Sequence, residues 1–525
     1  MSEPPRVGVG QFSLEGSYDI LPVEPLKVGT QRQLLVDHHI ISDGWNCRRT
    51  VHQLEKHPAN PLSISQNPYE GLEPQGGTVL YDEERGCFRY WGTISDETRV
   101  HKEHGKDEFA LRTVYYESTD GIHWMCPSLG IVELDGSREN NLVLGGNGYL
   151  HGAVSVIRLP EGRLERGRYA MMSSRARAGR WRWDIGEPHT MAQYIAFSDD
   201  GLHWTDQPEN PVFRARSDTH NNIIYHPGRD VFLHYRRATV NGHECRRMAF
   251  SESTDLVSWT QPQNILLPDE LDPPMHYGMP VSVYQGLCLG FLQNFYFDEE
   301  RALDKELKID VHLAWSRDGR TWERHPERPV FLPTGRIGTY DWGMVLTTQG
   351  IVEQGDRLYL YYTGHERIHP IQSEMIKGAY PGAVSSPREG WETRTVGVRQ
   401  IGSEVHHFCL ATLRRDGFVS VNTSGEGYLL TVPLECPGGH LHINARTGTN
   451  GFVRVALRRG DGVRDGEWLE DWSYDRGTIF TGDSVDHRVN WKGQDSLDSL
   501  KGTSIRLHFW MQEAELYSFW FDPKD

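Results

Sequence analysis

The sequence predicts an all-β chain: a five-bladed β-propeller followed by a C-terminal β-sandwich. Three observations predict it. A heptad of the form Ser-x-Asp-Gly-x-x-Trp recurs at Ser118 to Trp124, Ser198 to Trp204 and Ser316 to Trp322, with a fourth copy, Ser253 to Trp259, in which Leu256 replaces the glycine. β-rich segments precede each copy. After about residue 418 the heptad disappears and long alternating strands take over.

Asp-Gly supplies the positive φ of a tight hairpin turn, and the tryptophan that follows anchors the return strand, so each heptad marks a hairpin. The segments at 113–117, 194–197, 247–250 and 311–315 then read as third strands feeding fourth strands. Two further strands stand upstream, at 78–81 and 88–92 around the turn 82–86, and again at 222–225 and 231–235 around His226, Pro227 and Gly228. Four strands per unit is the pattern of a propeller blade. The predicted blades cover 70–125, 149–205, 218–260, 275–323 and 339–417, the last with a long insertion between Gly364 and His406. Unequal blades point to an enzyme more than to a uniform scaffold. The predicted organisation is an N-terminal extension at 1–69, whose apolar segment Gln33 to Asp37 is expected to help close the ring, a propeller at 70–417, and a sandwich at 418–525 carrying strands at 452–457 and 504–510.

The 16 Trp, 22 Tyr and 54 Gly fit many strands joined by tight turns. A net charge of −17 argues against a nucleic-acid partner, because that affinity depends on clustered Lys and Arg. No apolar stretch reaches the roughly 18 residues of a membrane span. Met1 to Pro5 has neither a basic start nor an apolar run, which leads to an expectation of a cytoplasmic protein. The seven cysteines form no Cys-x-x-Cys pair, so free buried thiols and no metal site are expected.

With five blades, Asp-Gly-x-x-Trp hairpins and an appended sandwich, the chain resembles the propeller glycoside hydrolases of families 32, 43, 68, 117 and 130. Asp218 to Asn222, Tyr340 to Met344 and Leu413 to Ser420 are similar to segments of a bacterial glycosidase-like propeller group. The family 32 pattern Asn-Asp-Pro-Asn is absent, as is Arg-Asp-Pro. Glu435, Cys436 and Pro437 reproduce that family's Glu-Cys-Pro, but inside the predicted sandwich. The Ser316 to Trp322 copy is similar to a sialidase Asp-box, one residue shorter.

In a propeller the innermost strand of each blade runs along the axis, so residues at its start face the central pocket. That rule selects Glu73, His151, Asp218, His220, His276, Tyr277, Tyr340, Asp341 and Trp342. Glycoside cleavage needs two carboxyl groups, one to protonate the leaving oxygen and one to act as nucleophile or to activate water. Asp218 and Asp341, then Glu73, are the expected catalytic residues. His151, His220, Asn221, His276, Tyr277, Trp342 and Glu366, the last following the strand at 358–362, are the expected sugar-binding residues. The reading is an exo-acting hydrolase of a small oligosaccharide or glycoside, with a carbohydrate as partner, no organic cofactor, and room for a structural cation in the axial channel. A phosphate-dependent phosphorylase, a uronide lyase using His and Tyr, and a non-catalytic carbohydrate-binding propeller are its rivals.

Overall fold

The computed structural model describes residues 24–67, 73–95, 111–134, 136–145, 149–177, 192–213, 221–240, 245–296, 308–366, 369, 406–460, 467–494 and 496–523. Among them there is no α-helix, only strands and two single-turn 3-10 helices, Glu470–Trp472 and Asp498–Leu500. The chain divides into two compact units, one of residues 53–354 and 358–412, the other of 1–52, 355–357 and 413–525.

The first unit is a series of antiparallel meanders. Gln75–Asp82, Cys87–Ser95, Leu111–Ser118 and His123–Met125 follow one another in a six-stranded sheet. Tyr149–Arg158, Tyr169–Arg177, Ala192–Ser198 and Thr205–Asp206 form a four-stranded sheet, as do Asn222–His226, Val231–Val240, Cys245–Ser253 and Gln263–Ile265. The remaining strands make an eleven-stranded sheet, in which one parallel bridge between Ile309 and Met344 joins two antiparallel runs. Its far edge is Glu55–Lys56, paired with His406–Arg414 through Ala411 and Thr412.

The heptads form the expected turns. Ser118 Oγ accepts the Gly121 N–H at 2.9 Å, and Asp120 Oδ1 accepts those of Ile122 and His123 at 2.8 Å each. Trp124 Nε1 closes the turn on the Gly121 carbonyl at 3.2 Å. Gly121 sits at φ +76°, and a Cβ there would stand 2.6 Å from the Tyr361 hydroxyl. The copy lacking glycine keeps the same bonds from Ser253 and Asp255 and holds Leu256 at φ +65°. Complete burial of Leu256 beside Ile195, Phe197 and Phe232 offsets that backbone strain.

Apolar clusters join the sheets in a cycle. Trp91 and Tyr115 of the first sheet pack with Val156 and Met171 of the second, Met172 and Ile195 with Ile223 and Phe232 of the third, and Tyr235 and Met248 with Met279 and Leu292 of the eleven-stranded sheet. Tyr361, Phe408 and Leu410 at the other end of that sheet return to Phe88, Tyr90 and Trp124. Buried Gln349 ties the inner strands: its Oε1 accepts Thr78 Oγ1 at 2.9 Å and Ser155 Oγ at 2.6 Å, and its Nε2 donates to the Ile223 carbonyl at 2.7 Å. Next to it the Gly350 N–H donates to Ser282 Oγ at 3.0 Å.

In the second unit nine strands are hydrogen-bonded into one sheet built on Val419–Thr431, His440–Arg459 and Ser504–Asp522. Register shifts between Thr423 and Glu426 and between Thr447 and Phe452 mark where these long strands become irregular. Its apolar core includes Leu441, Val455, Leu507, Phe509 and Phe519. Gln33–Leu34 was expected at the closure of the ring; it pairs instead with Phe519 and Ser518 in this unit, where an edge was open to it. The six cysteines whose side chains are described are free, and all but Cys47 are buried. Among the described residues no helix is long and apolar enough to cross a membrane.

Candidate active site

Three chain segments of the first unit bring acidic and imidazole groups together at one end of the eleven-stranded sheet. The strand His406–Arg414 alternates, so His406 and Phe408 turn inward while His407 is half-buried on the other face. Phe408 locks the register by stacking on Tyr90, ring centroids 4.5 Å apart and planes within 4°. Its N–H donates to Glu73 Oε2 at 2.6 Å, and His406 Nε2 donates to the Glu73 carbonyl at 2.6 Å. Glu73 is thereby held just ahead of the strand Gln75–Asp82.

His407 stands between two carboxylates. Its Nε2 meets Glu366 Oε1 at 2.8 Å, and its Nδ1 lies 3.7 Å from Glu73 Oε1. One imidazole separates its nitrogens by about 2 Å, so the two carboxylate oxygens that face it lie at most about 9 Å apart. Burial alone would lower the His407 pKa; the bonds to Glu73 and Glu366 outweigh it and raise the pKa above its usual value. Glu73 and Glu366 keep 28% and 27% of their side-chain surface open, which leaves a face of each carboxylate for a ligand. The Tyr340 ring stands edge-on to His407 at 6.2 Å.

Asp341 is built differently. Its carboxylate is buried, ion-paired with Lys56 Nζ at 2.6 Å, and accepts the hydroxyls of Tyr362 at 3.0 Å and Thr339 at 3.3 Å. Gly364 makes the close packing feasible, since a Cβ there would lie 2.6 Å from that of Asp341. Desolvation raises the pKa of both Tyr340 and Tyr362, so each stays a neutral donor.

The other expected residues make no side-chain contact with His407 or Asp341 among the described residues. Asn221 is buried and donates to Ser174 Oγ at 2.6 Å, a strut between the second and third sheets. His276 is completely buried, neither ring nitrogen has a hydrogen-bond partner among the described residues, and desolvation lowers its pKa to about 3. Trp342 is half-buried with Lys308 Nζ 5.8 Å from its ring. Tyr277 contacts two guanidinium groups, Arg246 at 5.0 Å and Arg237 at 5.3 Å. His151 lies in the strand Tyr149–Arg158 opposite Arg175, its side chain outside the described residues. Asp218 and His220 lie outside the described residues altogether.

The structure therefore brings together Glu73 and Glu366 of the expected set and adds His407, with Asp341 and its partner Lys56 linked to them through Tyr362 and Tyr340. The doublet His406-His407 at the end of the long insertion was the available signal for His407, because a strand there must present one of the two. Among the described residues no group of three His, Cys, Asp or Glu is placed to hold a metal ion.

No protein-family model and no curated protein matches this chain. Solved structures do. One is an N-acetylgalactosamine deacetylase from F. plautii, 14% identical over 76% of this chain and 96% of that one, TM-score 0.39. A family 32 β-fructofuranosidase from Bombyx mori is 10% identical over 90% of this chain and 94% of that one, TM-score 0.38. A β-1,2-mannobiose phosphorylase from Listeria innocua is 12% identical over 69% of this chain and 96% of that one, TM-score 0.39.

Proposed function

We propose that the first unit is a five-bladed propeller that cleaves glycosidic bonds, with Glu73 and Glu366 as its carboxyl pair. The observation that carries this is the imidazole of His407 bridging two partly open carboxylates at 2.8 and 3.7 Å. The blades begin at Gln75, Tyr149, Asn222, Met275 and Met344, and the cyclic packing of the sheets around Gln349 supports the count. Glu73, fixed by the Phe408 N–H, serves as base or nucleophile. Glu366 with His407 donates the proton to the leaving oxygen, His407 being held protonated by the two acids. Asp341, neutralised by Lys56, positions Tyr362 and Tyr340 beside the site.

A second reading, elimination from a uronide, draws on Tyr340 beside His407, a phenol and an imidazole suited to moving a proton α to a carboxylate. A panel of aryl glycosides and small oligosaccharides, run with and without inorganic phosphate, tests the main reading. It expects release of free reducing sugar, independent of phosphate and lost in Glu73→Gln and Glu366→Gln. A sugar phosphate as product would make the protein a phosphorylase, an ultraviolet-absorbing unsaturated sugar would make it a lyase, and ligand binding without any turnover would remove catalysis.

A further inference from the structure

A buried positive charge without a counter-ion is costly, and proteins keep one where a ligand supplies the missing anion. Arg246 is such a charge. It is 8% exposed, and its guanidinium has no hydrogen bond or ion pair among the described residues. It lies instead against two aromatic rings, Tyr277 at 5.0 Å and Phe295 at 5.3 Å from their centroids. Arg237, equally buried, stands 5.3 Å from the same Tyr277 ring. Two guanidinium groups thus share one phenol in a protein whose net charge is −17.

This cluster adjoins the acidic site. The His369 ring contacts Tyr277 at 5.2 Å and Phe295 at 4.9 Å, and His369 is only three residues beyond Glu366, which meets His407. The planar fork of arginine matches a carboxylate through two parallel hydrogen bonds, and Tyr277, the partly exposed one of the two rings, offers apolar surface to a sugar beside it. An anion carried on a sugar uses both features, whereas free phosphate would use the guanidinium alone.

We propose that Arg246, with Arg237 and Tyr277, binds the carboxylate of an acidic sugar, so that the substrate class is a uronate-type glycoside. The substrate assignment rests on the glycosidase reading of the Glu73 and Glu366 site; the anion site stands on its own geometry.

Calorimetric titration of the full chain with D-galacturonate, D-glucuronate, the matching neutral hexoses and inorganic phosphate tests it. At least one uronate is expected to bind about tenfold or more tighter than its neutral counterpart and than phosphate. Arg246→Met should lose that preference and unfold at a higher temperature, because it removes an uncompensated buried charge; Arg246→Lys should fold and bind the uronate about tenfold more weakly, having kept the charge without the fork. Equal binding of uronate and hexose, tighter binding of phosphate, no uronate binding, or wild-type affinity in both variants would overturn the proposal. Uronate binding that depends on Arg246 without turnover of any glycoside removes the glycosidase reading alone, while cleavage of neutral glycosides without uronate binding removes this one alone.

Discussion

Two acidic sites stand close together in the first unit, and they differ in what faces the carboxylate. Asp341 meets an ammonium at 2.6 Å and two hydroxyls, and is buried. Glu73 and Glu366 share one imidazole and keep about a quarter of their surface open. The first site is a buried ion pair closed by hydroxyls, with no face left open to a ligand. Histidine exchanges its proton near neutrality, so the second can pass one on. The lesson is that an acid at the start or end of an inner strand earns a chemical role through its partner and its exposure, not through its position alone.

The comparison can be broken most directly at Glu73. Glu73→Gln is expected to reduce kcat by about a thousandfold or more while leaving the unfolding temperature nearly unchanged, checked by steady-state rates and a thermal melt. Asp341→Asn should do the reverse. It leaves Lys56 facing a neutral amide, and denaturant unfolding should show a loss of about 2–4 kcal/mol, with kcat within a few-fold of wild type.

The histidines sharpen the contrast through pH. Because the His407 pKa is raised, its contribution to stability is complete below about 6.5 and lost as pH climbs through the higher folded value. Activity that depends on its proton should fall along the same alkaline limb, and His407→Gln should remove that limb and lower kcat by about 10–100-fold. Completely buried His276 should act with the opposite sign. Its folded pKa of about 3 lies below the unfolded value, so stability is retained above about 6.5 and declines as pH falls towards 3. A pH series of denaturant midpoints in His276→Met, flatter on the acid side than wild type, is the smallest of these effects.

Much of the first unit was legible because its signals are local. A Ser, an Asp and a Trp at fixed spacing make their own turn, and Leu256 shows that those bonds hold the hairpin without glycine. Glu73, expected third among the catalytic acids, and Glu366, expected only to bind sugar, could be singled out because each adjoins a strand that the sequence makes visible. Their shared partner was not, since His407 and Glu73 are far apart in sequence and meet only through packing of the first sheet against the last. Lys56 was hidden for the same reason: a two-residue strand, Glu55–Lys56, carries no periodicity. The placement of Gln33–Leu34 failed because an apolar strand pairs with whichever edge tertiary structure offers, and sequence does not say which. Arg246 lacked any signal, because what distinguishes it is a missing partner.

The central claim is that Glu366 and Glu73 perform chemistry while Asp341 supports structure. Measuring kcat/KM for Glu366→Gln and Asp341→Asn on one glycoside, at a temperature where both are folded, tests it most directly. The account predicts a loss of about a thousandfold for Glu366→Gln and a few-fold for Asp341→Asn. The reverse order, with Glu366→Gln close to wild type and Asp341→Asn inactive though folded, would contradict it.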